Sequence, residues 1–251
     1  MIILISNDDG IDAAGIGALA ARLERDHTVF VVAPAREQSA SSHSLTLRRP
    51  LSVRKIKERY YSVDGTPADC VNLAVNSILD VCPDLVVSGI NHGANLGDDV
   101  FYSGTVSAAI EGMLLNIPSI AVSYEMKEGS DFGPGAQFAA DLVGYLAANP
   151  MPNDTVLSVN VPDRITDDHP PYRITKQGKR IYSSAIVRPV DPPESGSYMI
   201  GPGEIGFEDD IESDFFAMTH GYISITPLHL DMTNYISIGE IKQWKIRTAL
   251  K

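Results

Sequence analysis

An apolar run, residues 2–6, ends at Asn7, two adjacent carboxylates, Asp8 and Asp9, and Gly10. Adjacent carboxylates repel and raise each other's proton affinity unless a cation or hydrogen-bond donors offset the charge. A bound divalent cation is the simplest partner for such a pair. Three further polar stretches share this character: "APAREQSASSHS" (33–44), rich in hydroxyls; "INHGANLGDD" (90–99), with Asn91, His92 and Asn95; and "YSGT" (102–105). Carboxylates, amides and hydroxyls are hard donors that suit Mg²⁺, Mn²⁺ or Ca²⁺ better than zinc. No HExxH or CxxC occurs. Ser103, Gly104 and Thr105 precede a helical pattern, so they offer backbone N–H groups and a positive dipole end to an anion. A cation beside an anion cradle suits phosphate chemistry, in which a metal holds a phosphoryl oxygen and activates water. His43 and His92 are candidates for general acid or base roles. Taken singly, each stretch has a plainer reading: "NDDG" as a turn, "SGT" as a helix cap, the serines as solvated loop, the histidines as hydrogen-bonding partners. The signal is their coincidence.

The elements between these stretches place them together. "IILIS" (2–6), "TVFVVAP" (28–34), "YYSVDG" (60–65), "DLVVSG" (84–89), "SIAVSY" (119–124) and "TVLSVNVP" (155–162) read as strands, mostly short β-branched runs of the buried parallel kind. Helical spacing appears in "IDAAGIGALAARLERD", "TPADCVNLAVNSIL", "SGTVSAAIEGMLL" (103–115) and "DFGPGAQFAADLVGYLAA". Thr66, Pro67 and Asp69 give the second of these a marked start. Strands alternating with helices predict a doubly wound, mainly parallel sheet in a three-layer α/β/α arrangement. Ligands of such sheets bind beyond the carboxyl ends of the strands, where all four polar stretches fall. The pattern changes after residue 163. Residues 1–163 read as the catalytic core. Residues 164–251, rich in Pro, Gly and charge, read as a β-rich extension of the same domain. Within it, "YRITKQG" and "GYISITPL" (221–228) read as strands and "GEIKQWKIRTAL" (239–250) as a terminal helix.

The chain has 251 residues, 44% of them hydrophobic, and a net charge of −12. Such acidity opposes binding to nucleic acid or to anionic membranes. A local cation still allows small anionic substrates. Two cysteines, Cys70 and Cys82, make no disulfide framework and suit a reducing compartment. "MIILISNDD" lacks a basic region before its short apolar run, and no run reaches the ~20 apolar residues of a membrane span. The expected location is the cytoplasm.

The segments "ILISNDDGIDAAGI", "VVAPAREQSASSHSLT", "VDGTPADCV", "DLVVSGINHGANLGDDVFYSGTVSAAIEG" and "GYISITPL", in this order across residues 1 to about 235, resemble the stationary-phase survival protein (SurE) family. The resemblance implies a Rossmann-like core and a metal-dependent nucleotidase acting on nucleoside 5'- or 3'-monophosphates, in some members also on polyphosphate. It implies one divalent cation per subunit, Mg²⁺ or Mn²⁺, held by Asp8, Asp9, Ser39 and Asn91. It further implies a phosphate pocket formed by Asn95, Ser103, Gly104 and Thr105, and a homodimer or homotetramer joined through the C-terminal extension. The expected mechanism is direct attack by metal-activated water on the phosphomonoester, with Asp8 and Asp9 as the catalytic residues and one of them, Asp8 first, positioning or deprotonating the water. Two stretches depart from the family pattern: "YMIG" (198–201) where a Tyr-Trp pair is usual, and "ESDF" (212–215) where "GTDF" is usual. Both are expected to lie away from the strand-end loops.

Two other readings compete. An aspartyl-phosphate phosphatase also begins with a strand ending in aspartates, but spaces its pair two apart, whereas Asp8 and Asp9 are adjacent. A nucleotide- or anion-binding module without turnover would use the same rim. Two carboxylates near an anionic ligand favour catalysis, since without a metal they only repel it.

Overall fold

The computed structural model describes residues 1–127, 131–163, 170–182, 187–189, 198–200 and 205–244. Its centre is a nine-stranded sheet. Strand β1 (Ile2–Ser6) lies near the middle, parallel to β2 (Thr28–Pro34) on one side and to β5 (Leu85–His92) on the other. Beyond β2 come β4 (Tyr60–Val63), parallel to it, and the antiparallel edge strand β3 (Val53–Lys57). Beyond β5 come β6 (Ser119–Tyr124) and β7 (Thr155–Val161), both parallel. The extension then completes the sheet. Strand β13 (Ile223–His229) pairs antiparallel with β7 and parallel with β8 (Tyr172–Ile174). The expected mainly parallel α/β sheet is the one observed.

Alternate residues of the central strands face two helical layers, as the two-residue period requires. Ile3 and Ile5 pack with Ile16, Leu19 and Leu23 of α1 (Ala14–Leu23) and Val143 of α4 (Gly133–Ala148). Leu4 and Val86 face the other way, onto Cys70 and Val71 of α2 (Pro67–Leu73) and Ala108 of α3 (Gly104–Leu114). Both faces of the central strands are therefore dry. That explains their unbroken apolar runs.

Four details differ from the sequence-based expectation. Strand β3 was not expected: its side chains are all exposed, so no burial pattern marks it. A helix, α5 (Asp214–Thr219), capped by Ser213, lies inside the expected β-rich extension. The terminal helix begins earlier than residue 239: α6 spans Tyr235–Ile241, with the Asn234 side chain accepting from the Ser237 N–H. The expected 239–250 helix ends at Ile241: residues 242–244 form a turn, and residues 245–250 lie outside the described residues. Finally, β5 runs on through Gly89 to His92 with a register shift against β6. Gly89 has φ of +134°, and a side chain there would meet the Val122 carbonyl oxygen. Only glycine fits. Asn91 and His92 follow the shift at the carboxyl end of β5.

Short hairpins fill the rest of the extension. Strand β9 (Arg180–Tyr182) pairs with β12 (Ile205–Phe207), and β10 (Val187–Pro189) with β11 (Tyr198–Ile200). Of "YMIG", only the backbone of residues 198–200 is described, within β11.

Candidate active site

A cavity of about 670 Å³ opens at the carboxyl edge of the sheet. Its lining includes Asp8 and Asp9 after β1, Glu37 and Ser39 after β2, Asn91, His92 and Asn95 after β5, and Asp99, Tyr102 and Ser103 leading into α3. Phe132 and the first residues of α1 form the far wall. Among the described lining residues there is no Lys or Arg.

Asp8 is almost fully buried. Burial raises the proton affinity of its carboxyl above the ordinary value, and the charge of Asp9 adds to this. The opposing force is a hydrogen bond from the Thr105 hydroxyl to Asp8 Oδ1, together with the Thr105 backbone N–H. Asp9 is also raised, first by burial and then by the nearby Glu37 charge, while the His92 backbone N–H, 3.2 Å from Oδ2, opposes the rise. Two carboxylates held beside each other against their own proton affinity are a site that a cation would stabilise.

The other donors are fixed. Asn91 Nδ2 donates to the Gly93 carbonyl at 2.7 Å, which leaves its side-chain oxygen as the group it can offer a cation. Ser39 Oγ donates to Glu37 at 2.6 Å, so its lone pairs stay available. The Ser39 loop is tied to the core by the Gln38 N–H on the Asp8 carbonyl, 2.7 Å, and by the Ser42 N–H on the Tyr102 carbonyl, 3.2 Å. Among the described residues no three His, Cys, Asp or Glu side chains gather as a metal cluster. The set is two carboxylates, a hydroxyl and an amide oxygen, which fits a hard divalent cation.

Asn95 is held rigidly. Its backbone N–H donates to Asn160 Oδ1 at 2.8 Å, Asn160 Nδ2 donates back to its carbonyl at 3.1 Å, and its own Nδ2 reaches Ser123 at 2.8 Å. Ser103 caps α3, accepting from the Val106 N–H. Gly104 and Thr105 are not among the residues that line the cavity. They sit behind Asp8: Thr105 is fully buried, and a Cβ on Gly104 would lie 2.7 Å from Asp8 Cβ.

His43 is not brought to the cavity. Its Nε2 lies 2.7 Å from Glu111 Oε2 of α3, and Asn72 holds the other carboxylate oxygen at 2.7 Å. His92 lines the cavity, but its fixed contribution is the backbone N–H on Asp9.

Sequence reasoning did not single out Glu37, Asp99, Tyr102 or Phe132. Glu37 and Tyr102 stood inside quoted stretches without a feature to separate them. Phe132 is remote in sequence and was readable only as helix. The "ESDF" stretch proves not to lie away from the strand-end loops. Asp214 accepts from the Gly97 N–H at 2.7 Å and the Gly178 N–H at 2.9 Å, and Phe215 packs where a Gly97 side chain would go. Gly97 opens the short 3-10 turn, Gly97–Phe101, that leads to Tyr102. Arg180 of β9 holds the same turn through both oxygens of Asp99.

The model of the Survival protein SurE family matches residues 3–184. This chain belongs to the SurE family. A SurE relative from Geotalea daltonii, named 5'-nucleotidase SurE, is 51% identical over 247 residues, covering 98% of this chain and 100% of its own length. Another of that name, from Pelobacter propionicus, is 50% identical over 97% of this chain and 99% of its own. The crystal structure of the SurE protein from Aquifex aeolicus superposes with a TM-score of 0.87 at 43% identity, covering 96% of this chain and 98% of that one. The SurE assignment thus rests on sequence and fold together.

Proposed function

We propose that this chain is a 5'-nucleotidase, a phosphoric monoester hydrolase that converts nucleoside monophosphates to nucleoside and phosphate. The observation that carries this is the cavity itself: adjacent buried aspartates and two neutral oxygen donors, at the carboxyl edge of the sheet, in a chain about half identical to proteins named 5'-nucleotidase.

Asp8, Asp9, Ser39 and Asn91 hold one divalent cation, Mg²⁺ or Mn²⁺, in this reading. The cation supplies charge stabilisation at the phosphoryl group and lowers the proton affinity of water. Asp8 orients the attacking water and takes its proton, with its carboxylate fixed by Thr105. Asn95 and Ser103 meet the phosphoryl oxygens as rigid polar groups, which favours the charge that develops there. Gly104 and Thr105 serve the phosphate pocket by seating Asp8. Among the described lining residues a phosphate ester meets no Lys or Arg, which supports dependence on a metal.

A homodimer or homotetramer formed through the extension is also proposed. Helix α6 buries none of its residues, and Ile236 and Trp244 stand exposed. The two free cysteines fit a cytoplasmic location. No described helix is long and apolar enough to cross a membrane.

The deciding experiment is phosphate release from a panel of nucleoside 5'- and 3'-monophosphates with Mn²⁺ or Mg²⁺, then with EDTA. Release that EDTA abolishes is expected. No release from any monophosphate with metal present would overturn the reading and favour a binding module without turnover.

A further inference from the structure

The cavity is larger than the metal and phosphate donors alone need, and its wall carries one large side chain without a structural employment. Tyr102 is 62% exposed while lining the cavity. Among the described residues its ring stacks on no other ring and its hydroxyl makes no hydrogen bond. Its backbone, by contrast, is pinned: the N–H donates to the Asp99 carbonyl at 2.9 Å and the carbonyl accepts from Ser42 at 3.2 Å. The preceding turn is braced by Arg180 and Asp214 from the extension. A rigid backbone thus presents an exposed aromatic ring one residue before Ser103. Consecutive Cα atoms lie ~3.8 Å apart, so a phosphate at Ser103 places the organic part of its ester within reach of that ring.

The other carbocyclic ring in the lining, Phe132, is already committed. It packs with the core and sits edge-on to Tyr124 at 6.2 Å. The lining's polar groups are also largely engaged, with Asn91 on Gly93, Asn95 on Ser123 and Asp99 on Arg180. What the wall has to offer a flat heterocycle is therefore a face for stacking.

We propose that Tyr102 is a specificity-determining residue that stacks on the base of the substrate. It selects monoesters bearing an aromatic base over those that lack one, with little distinction between bases. This deepens the nucleotidase reading and rests on it. Every base has a π-face, so stacking is tolerant of sequence identity and contributes roughly 1–3 kcal/mol per base.

The test compares kcat/KM for adenosine, guanosine, cytidine and uridine 5'-monophosphates with that for ribose 5-phosphate, which has the same phosphate and sugar but no base. In Tyr102→Ala the ratio of each nucleotide to ribose 5-phosphate should fall roughly 5- to 150-fold, the stacking free energy expressed as a ratio. The loss should appear in KM, and Tyr102→Phe should keep the wild-type ratio. A ratio unchanged within twofold in Tyr102→Ala overturns the proposal, as does an equal loss on all five substrates. Calorimetric titration of adenosine, which needs no turnover, separates the two levels. If the wild type releases no phosphate from any substrate, the nucleotidase reading fails. Adenosine affinity that is then lost in Tyr102→Ala and kept in Tyr102→Phe supports the stacking face, and equal affinities for all three proteins reject it.

Discussion

Gly104→Ala gives opposite signs depending on whether the helix start closes on the Asp8 carboxylate. Gly104 is the first residue of α3, and its φ lies outside the left-handed region, so nothing in its backbone demands glycine. On helix propensity alone, alanine should stabilise by up to ~1 kcal/mol. Against this, the new methyl would lie 2.7 Å from Asp8 Cβ, 2.9 Å from Asp8 Oδ2 and 2.9 Å from Ser41 Oγ. The Ser41 hydroxyl can rotate away. Asp8 Cβ cannot, because it is fixed to the backbone at the end of β1. Overpacking of this kind costs about 1–3 kcal/mol. The net change is then a loss of about 1 kcal/mol, or a melting temperature lower by about 2–4 °C for a chain of this size. The larger effect falls on chemistry: a shift of Asp8 approaching 1 Å costs on the order of 100-fold in rate. Thermal unfolding of the metal-free protein and kcat with saturating Mn²⁺ read the two quantities separately. A variant that melts higher than wild type and keeps its kcat would refute the close approach and the reading of Gly104 as the seat of Asp8.

Other outcomes follow from the same geometry. Asp9→Asn should abolish most metal-dependent phosphate release, and Mn²⁺ should no longer raise its melting temperature. Because the folded state raises the proton affinity of Asp9, its charged form opposes folding; that cost is absent below the ordinary aspartate range and grows as pH rises through the folded value. The metal-free variant should therefore melt no lower than wild type at pH 7, with the difference shrinking toward pH 4. A clear destabilisation at pH 7 in the absence of metal would contradict this. Asp214→Ala removes a carboxylate that accepts from the buried Gly97 and Phe215 N–H groups and from the half-buried Gly178 N–H, and leaves all three without it. Denaturant unfolding should show a loss on the order of 3 kcal/mol, at ~1–3 kcal/mol for each orphaned buried group. A loss under 1 kcal/mol would count against the clamp.

The sheet and the gathering of Asp8, Asp9, Ser39 and Asn91 at its edge were legible because their physics is local. Buried parallel strands need continuous apolar runs, and residues 2–6, 28–34 and 119–124 supply them. The carboxyl edge of such a sheet then gathers whatever polar residues come next, which put Asp8, Asp9, Ser39 and Asn91 around one cavity. What was not legible depends on long-range contact. His43 looked like an acid or base, but its partner, Glu111, is 68 residues away. Gly104 and Thr105 looked like an anion cradle, and no spacing rule shows that Asp8 occupies the space before them. Tyr102 could not be told from a core aromatic without its exposure. Strand β3 carries no alternation because neither of its faces is buried.

The clamp between the turn at Gly97 and Asp214 joins residues 117 positions apart. On the ribosome, at roughly 5–20 residues per second, about 6 to 23 seconds separate the synthesis of the two. Asp8, Asp9, Ser39 and Asn91 precede Gly97, so they are made before that interval begins, and throughout it the turn that carries Asp99 and Tyr102 still lacks its Asp214 brace. A nascent chain thus owns its carboxylates before it owns a finished pocket. Hydrolysis awaits the last part of the message, and a chain broken off before Asp214 is a carboxylate cluster without a finished substrate wall.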